Sequence, residues 1–186
     1  MAAGSPRIAR ICLTGAESTG KTVLAAKLAA HFGGVVMPEF GREFAEMHGT
    51  DFRPDDMVAI AMGHRAALKA IEAQAPALII EDTDIVTTTA WARMLFERDK
   101  ALIAQLKRLP ATAGLYLLFD ADVPFVADGT RMFEGEARRR FQMVLQAEMR
   151  ERRIDPVHIE GDFPAREQAA MVTCERWLDV WRRRMN

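Results

Sequence analysis

The feature that most constrains the fold of this chain is the octapeptide GAESTGKT at residues 15–22. It matches G-x-x-x-x-G-K-[S/T], the pattern of a phosphate-binding loop, at every fixed position. Residues 8–13 before it form an apolar run typical of a buried strand, and residues 23–32 after it carry apolar side chains at helical spacing. Such a loop works between a strand and the N-terminus of a helix. The sequence therefore predicts an α/β fold built around a nucleotide-phosphate site.

Each fixed position of the loop has its own chemical reason. Gly15 and Gly20 permit backbone angles and close approach that a Cβ would prevent, so successive N–H groups can turn toward phosphate oxygens. Lys21 supplies an ammonium group for the β- and γ-phosphates, and Thr22 supplies a hydroxyl ligand for Mg²⁺. We therefore expect ATP and Mg²⁺ as cofactors, while the choice between ATP and GTP is left open. The predicted nucleotide-binding residues are Gly15, Glu17, Ser18, Thr19, Gly20, Lys21 and Thr22.

Length and charge limit the number of domains and the class of partner. The chain has 186 residues, of which 49% are hydrophobic, enough for one well-buried core and too few for two comfortable domains. We therefore expect a single domain over residues 1–186. The 25 basic and 26 acidic side chains give a formal net charge of −1, which disfavours nucleic acid and anionic membranes as partners.

Localisation is predicted from the apolar runs and the cysteines. No apolar run approaches the roughly 20 residues of a membrane span, and residues 1–7 lack the apolar segment of a secretory signal. Cys12 and Cys174 suit buried groups in a reducing compartment better than a disulfide framework. These observations favour an unprocessed, cytoplasmic protein with a small-molecule substrate, and they leave its oligomeric state open.

Five apolar runs predict five strands, and amphipathic stretches between them predict helices. Strands that alternate with helices form βαβ units, so we expect a three-layer α/β/α arrangement with a parallel sheet in the middle. Polar residues that follow the strands should then meet at one edge of the sheet, where ligands bind in such folds. The predicted strands are residues 8–13, 35–37, 77–80, 115–119 and 157–159.

Acidic residues after the second and third strands are the candidate catalytic groups. Glu39 follows the second strand and is the favoured general base for an acceptor hydroxyl, with Arg42 one helical turn on to orient it. The acidic run 81–84 follows the third strand, where a carboxylate can serve Mg²⁺, and Asp82 is the candidate metal ligand. A purely structural alternative is that Asp84 caps the next helix. Which of Glu39, Asp82 and Asp84 acts as the base is left open.

The segment after the fourth strand, at about residues 120–140, is interpreted as a lid. A loop of this length invites a functional interpretation, and Gly129 provides a hinge. Arg131 is predicted to be catalytic, because a mobile arginine can bring positive charge to the transferring phosphate. The arginine run 138–140 on the following helix is interpreted mainly as a solvated face, with the alternative that one of its arginines reaches a phosphate.

Two classes of phosphate-loop protein are excluded by what the sequence lacks. A signalling GTPase needs an Asn-Lys-x-Asp segment to bind guanine, and the only asparagine here is Asn186. A ring-forming ATPase motor would normally need a longer chain with a helical lid domain. A small phosphotransferase remains, with acids facing the acceptor and an arginine-bearing loop over the phosphates.

Five segments carry a resemblance to a known family, in the same order and at similar spacing. They are GAESTGKT at 15–22, EFGREF at 39–44, GH at 63–64, DTD at 82–84 with TT at 87–88, and PFVADGTR at 124–131. Over nearly its whole length the chain resembles the ribosylnicotinamide kinase domain of the NadR-type NAD-biosynthesis proteins. The resemblance implies a P-loop NTPase fold of the nucleoside/nucleotide-kinase type. It also implies transfer of phosphate from ATP to the ribose 5′-hydroxyl of nicotinamide riboside, which gives nicotinamide mononucleotide.

The resemblance further implies an acceptor site formed by Glu39, Arg42, Asp84, Phe125 and Asp128. Phe125 stands where the family is expected to carry tryptophan, so its ring is the candidate to stack on the pyridinium ring of the acceptor. Ala127 stands where some members of the family have an acidic residue. NadR proteins carry other domains before the kinase, for which this chain is expected to have no room. Two alternatives stay open: another small nucleoside or nucleotide kinase, and a noncatalytic ATP-binding regulator.

Overall fold

The sheet of this protein has five strands: β1 (Ala9–Gly15), β2 (Val35–Met37), β3 (Leu78–Asp82), β4 (Leu115–Phe119) and β5 (Val157–Ile159). All neighbouring strands are parallel, in the order β2-β3-β1-β4-β5, which confirms the predicted sheet. The computed structural model describes residues 8–185. Residues 1–7, where we expect no secretory signal, and Asn186 lie outside the described residues.

Seven helices cover both faces of the sheet within residues 8–185. The helical pattern predicted at residues 23–32 corresponds to a helix that begins two residues earlier, and one nine-residue helix, α2, was not predicted as an element. Among these residues, no helix combines the length and apolar character that crossing a bilayer requires. The helices are α1 (Lys21–Phe32), α2 (Phe40–His48), α3 (Pro54–Glu72), α4 (Ile85–Leu95), α5 (Lys100–Lys107), α6 (Gly135–Glu151) and α7 (Phe163–Met185).

The central strands are apolar on both faces because each face packs against helices. Ile11 and Leu13 of β1 lie in the cluster formed with α1 and α7, whereas Cys12 between them faces the cluster of α4 and α6. Cys174 of α7 is buried in the first cluster, so both cysteines are buried free thiols. The sheet thus holds its strand ends, and the residues that follow them, on a rigid two-sided core.

β1 and β3 each continue two residues beyond the predicted strand ends. Glu81 and Asp82, which the sequence analysis placed after the strand, pair in register with Cys12 and Leu13. Glu81 is fully buried and accepts from the Arg10 guanidinium at 2.9 and 3.0 Å, which satisfies one of its oxygens. A charged partner therefore lets an acid occupy a buried strand position that apolar periodicity does not predict.

Two glycines allow close contacts that position the site. A Cβ at Gly15, whose φ is +139°, would lie 2.3 Å from the carbonyl oxygen of Phe119, so β1 can pair with β4 only if this residue is glycine. A Cβ at Gly63 in α3 would lie 2.1 Å from the Phe40 ring. Gly63 thus lets α2 pack closely on α3, and α2 carries Arg42 into the site.

Candidate active site

One cleft, bounded by the phosphate loop (residues 15–22), α2, α3, α4 and the segment 120–134, collects most of the predicted site residues. We call residues 120–134 the lid segment; they contain no helix or strand, and the first turn of α6 forms the rest of the predicted lid. The predicted residues that line the cleft are Gly15, Glu17, Ser18, Thr19, Gly20, Lys21, Thr22, Glu39, Arg42 and Arg131.

Lys21 is held inside the phosphate loop at the start of α1. Its ammonium group donates to the Ala16 carbonyl at 2.8 Å and lies 3.3 Å from the Thr19 hydroxyl. Burial lowers the pKa of Lys21, and the nearby carboxylates of Glu39, Asp82 and Glu17 oppose that shift. A desolvated ammonium group interacts strongly with a phosphate, because little water screens it.

Asp82 ends β3 with a carboxylate that makes no hydrogen bond within residues 8–185. Its side chain is 1% exposed, and neither carboxylate oxygen makes a hydrogen bond to the described part of the chain. An unpaired buried carboxylate is costly unless a cation joins it. Thr22 lines the cleft, and the Asp82 carboxylate lies close enough to Lys21 and Glu39 to shift their pKa values. A hydroxyl and a carboxylate are thus near the phosphate loop, and Mg²⁺ takes such oxygen ligands together with phosphates and waters. The donor chemistry therefore fits the predicted magnesium ion.

Residues 8–185 contain no group of three or more His, Cys, Asp or Glu side chains that could hold a metal ion by themselves. A magnesium ion at Asp82 would therefore need oxygen atoms from a bound nucleotide or from water to complete its ligands.

Glu39 lies between β2 and α2, with its carboxylate facing the cleft. Desolvation and the neighbouring Asp82 carboxylate raise the pKa of Glu39, while Lys21 and Arg42 act in the opposite direction. Arg42 Nε lies 3.5 Å from Glu39 Oε2, so the pair predicted from the sequence is present but loose. A carboxylate whose pKa is raised toward neutrality is better suited to accept a proton than an ordinary glutamate.

Asp84 does not face the cleft, and its predicted role in acceptor binding has no support in the structure. One carboxylate oxygen accepts from the backbone N–H of Val86 at 2.9 Å, so Asp84 caps α4, as the structural alternative stated. The other oxygen accepts from the Tyr116 hydroxyl at 2.6 Å. With both oxygens bonded and 5% exposure, this carboxylate is not free to accept a proton from a substrate.

The side chains of Glu17 and Ser18 bind the lid segment rather than pointing at a nucleotide. The Glu17 carboxylate accepts from the backbone N–H groups of Met132 at 3.1 Å and Phe133 at 2.7 Å. Desolvation raises the pKa of Glu17 despite those two hydrogen bonds. The Ser18 hydroxyl accepts from the backbone N–H of Val126 at 2.8 Å. Both residues line the cleft, but their side chains fasten the phosphate loop to the lid segment.

Asp128 joins α2 to the lid segment. Its carboxylate accepts from Arg42 Nη1 at 2.8 Å and lies 3.1 Å from Arg131 Nε. Although desolvation opposes it, the hydrogen bond from Arg42, with those from Thr130, holds the pKa of Asp128 well below its usual value. Asp128 therefore places Arg42 and Arg131 beside the cleft without lining the cleft itself.

Phe125 is half-buried and is not among the residues that line the cleft. The Arg138 guanidinium carbon lies 6.0 Å from the centroid of its ring. The predicted stacking of Phe125 on a pyridinium ring is therefore not supported by this arrangement.

An apolar wall of the cleft was missed by the sequence analysis. The Trp91 ring stacks on Phe133 at 4.5 Å between centroids, which fixes its orientation. Met57 and Ile60 recur at helical spacing in the sequence, a pattern that predicts core residues and not a cleft wall. Which of the many apolar side chains meet at one wall depends on helix packing, so no local signal identifies them. The residues of this wall are Phe52, Met57, Ile60, Trp91 and Phe141.

Comparison with known proteins places the chain in a family. A family model described as an AAA domain matches residues 10–166. The trifunctional NAD biosynthesis/regulator protein NadR of Salmonella typhimurium is 31% identical over 166 residues, which cover 84% of this chain and 39% of that protein. This chain thus spans well under half the length of that curated relative.

Two solved structures of NadR proteins have a fold similar to that of this chain. A NadR crystal structure in complex with NR superposes with a TM-score of 0.74 at 22% identity, covering 91% of this chain and 51% of that one. Another, in complex with NAD and AMP-PNP, gives 0.73 at 23% identity, covering 91% and 49%. These likenesses confirm the predicted P-loop α/β fold.

Proposed function

This chain belongs to the AAA domain family, and from that premise we propose that it is a kinase that uses ATP and Mg²⁺ to phosphorylate nicotinamide riboside. The product is nicotinamide mononucleotide, so the reaction belongs to NAD salvage. The observation that carries the proposal is the meeting, in one cleft, of Lys21 in its phosphate loop, Glu39, and an apolar aromatic wall, with the unpaired Asp82 carboxylate beside them. The curated relative is named for NAD biosynthesis, and a NadR structure of the same fold contains NR, which we take to be nicotinamide riboside.

The phosphate loop and the lid segment bind the nucleotide phosphates and stabilise the charge on the transferred group. Backbone N–H groups of residues 17–22 and the positive end of α1 bind the phosphates, and Lys21 stabilises the charge that develops on the transferred group. Arg131, which Asp128 orients, adds a second positive charge from the lid. Mg²⁺, when bound at Asp82 and Thr22, would supply Lewis-acid stabilisation of the phosphate oxygens.

Glu39 and Arg42 act on the acceptor hydroxyl. Glu39 accepts the proton of the ribose 5′-hydroxyl as that oxygen attacks the terminal phosphorus, while the bond from this phosphorus to the β–γ bridging oxygen breaks and ADP leaves. The raised pKa of Glu39 suits that role. Arg42 holds the Glu39 carboxylate from one side and Asp128 from the other. The apolar wall around Trp91 excludes water and offers a surface for the flat base of the nucleoside.

The finer assignments of domain, location and partner belong to the same proposal. Residues 8–185 form one kinase domain with residues 120–134 as its lid. The protein acts in a reducing cytoplasm on small molecules and not on nucleic acid, which its two buried free thiols and near-zero net charge support.

A panel of acceptors tests the proposed function. ADP release is measured with ATP, Mg²⁺ and nicotinamide riboside, thymidine or adenosine, with Lys21→Ala as the inactive control. We expect nicotinamide riboside to give the highest kcat/KM. A preference for thymidine or adenosine would favour another nucleoside kinase, and ADP release with none of the three would favour a noncatalytic ATP-binding regulator.

A further inference from the structure

Two buried arginines hold the phosphate loop from the side opposite the cleft, and the proposed mechanism uses neither of them. Arg138 on α6 is 6% exposed and Arg166 on α7 is 1% exposed. The prediction that the arginine run 138–140 forms mainly a solvated face is wrong for Arg138. A guanidinium is rarely buried unless its donors are bonded, because its desolvation is costly. The hydrogen-bond partners of Arg138 and Arg166 therefore indicate the role of each side chain.

Arg138 connects the phosphate loop to the root of the lid segment. Its Nε donates to the Glu17 carbonyl at 2.9 Å, and its Nη2 lies 3.4 Å from the Ser18 carbonyl. Its Nη1 donates to the Val123 carbonyl at 2.7 Å. All three hydrogen bonds go to backbone oxygens, so the side chain fixes the path of the main chain.

Arg166 makes a similar connection from α7. Its Nη1 lies 3.4 Å from the Thr19 carbonyl, and its Nη2 donates to the Asp120 carbonyl at 3.0 Å. The same nitrogen pairs with the Asp122 carboxylate, and Nε donates to the Gly161 carbonyl at 2.6 Å. The loop and the lid root are thus bonded by one side chain here as well.

Together the two guanidinium groups take the carbonyl oxygens of three successive loop residues, Glu17, Ser18 and Thr19. A loop that binds phosphate must direct its N–H groups inward and its carbonyls outward. Ser18 has a φ of +61°, a costly conformation for a residue other than glycine, so the loop needs outside contacts to stay in this shape. Carbonyls held on the outer side keep the N–H groups facing the cleft.

We propose that Arg138 and Arg166 are positioning residues that preform the phosphate loop for nucleotide and couple it to the lid root. The proposal rests on the proposed function in one respect, that a nucleotide phosphate binds this loop. Arginine is required because its planar fork reaches several carbonyls at once, whereas a lysine ammonium group on a flexible stem cannot keep that geometry.

The test compares Arg138→Lys and Arg166→Lys with matched controls on the same helices. Arg139→Lys on α6 and Arg176→Lys on α7 replace exposed arginines that make no hydrogen bond or ion pair in the described part of the chain. Binding of AMP-PNP with Mg²⁺ is measured by calorimetry, and ATP and acceptor KM values by kinetics. We expect Kd for AMP-PNP and KM for ATP to rise about tenfold in the two buried variants, with acceptor KM changed less than twofold.

The outcomes separate positioning from a merely structural role. A folded buried variant that melts at a lower temperature but binds AMP-PNP within twofold of the wild type would overturn the proposal, as would an equal loss in the controls. Arg138→Gln serves if a lysine variant does not fold. Because AMP-PNP binding requires no acceptor, the inference can hold even if the acceptor panel disproves the kinase activity. A wild-type protein that does not bind AMP-PNP would overturn the inference.

Discussion

At the scale of single residues, the structure shows different surroundings for carboxylates that the sequence could not tell apart. Three acids stood as candidates for the base, and their surroundings distinguish them. Asp84 has both oxygens bonded to Val86 and Tyr116, and Asp82 has two buried oxygens without partners. Glu39 lines the cleft with a raised pKa. These differences support the proposal that Asp82 serves the metal and Glu39 accepts the proton.

We predict that Glu39→Gln lowers kcat by about 10² to 10⁴ while the KM for ATP changes little, because a positioned base contributes about that factor. Burial and Asp82 raise the Glu39 pKa, and the base must be ionised to act. Wild-type activity should therefore fall as the pH is lowered through this raised pKa, and the variant should lose that acidic limb. Steady-state kinetics across pH measures both effects.

The matched control is Glu43→Gln, which removes an exposed carboxylate one turn along α2 and should leave the pH profile unchanged. If Glu39→Gln kept more than about a tenth of the wild-type kcat, Glu39 would not be the general base, because losing a base lowers kcat by more than that.

At the scale of elements, the lid segment is fastened to the phosphate loop through side chains of the loop itself. The Glu17 carboxylate binds the backbone of Met132 and Phe133, and the Ser18 hydroxyl binds that of Val126. Within the motif these two positions are variable, so the pattern G-x-x-x-x-G-K-[S/T] says nothing about their side chains. The contacts connect the phosphate loop to the lid segment directly.

We predict that Glu17→Ala loosens the lid segment, because two buried backbone N–H groups lose their acceptor. Limited trypsin digestion should cleave after Arg131 several-fold faster in the variant, and the kcat/KM for ATP should fall. The control Glu134→Ala removes an exposed glutamate at the end of the same segment whose side chain makes no capping hydrogen bond. Equal cleavage rates in Glu17→Ala and the wild type would show that this carboxylate does not hold the lid.

The sequence predicts an element well when a local pattern determines it, and poorly when contacts distant in the chain determine it. The strands 35–37, 115–119 and 157–159 were predicted with their observed bounds, because a buried parallel strand is a short apolar run between breakers. The helix α2 was missed because it is short and its packing on α3 depends on Gly63, a residue distant in the chain. The burial of Arg138 was missed for a similar reason, since its partners lie 15 to 121 positions away.

At the scale of the whole molecule, the site forms where segments distant in the chain meet at one edge of the sheet. The order β2-β3-β1-β4-β5 places the end of β1 between those of β3 and β4. The phosphate loop thus lies between Asp82 at the end of β3 and the lid segment after β4. A ligand that spans the cleft therefore stabilises the whole fold, because it binds the folded chain and not the unfolded one.

This linkage gives a prediction for Asp82. At a concentration of Mg²⁺-AMP-PNP about 100 times its Kd, binding adds roughly 2.7 kcal/mol to the free energy of unfolding. For a chain of this size that corresponds to a rise in Tm of roughly 5 to 10 °C. Asp82→Asn removes the carboxylate charge, so the extra rise that Mg²⁺ gives over AMP-PNP alone should disappear. Thermal denaturation with AMP-PNP, with and without Mg²⁺, measures the difference.

Without nucleotide, Asp82→Asn should melt close to the wild-type temperature, because neither carboxylate oxygen makes a hydrogen bond within residues 8–185 that the substitution could remove. The control Asp84→Asn keeps one oxygen to cap α4 but puts an amide nitrogen, which cannot accept, opposite the Tyr116 hydroxyl. It should therefore melt lower, yet keep the full Mg²⁺-dependent rise. A Mg²⁺-dependent rise that survived in Asp82→Asn would mean that the ion is held elsewhere, and Asp82 would then be an unexplained buried charge.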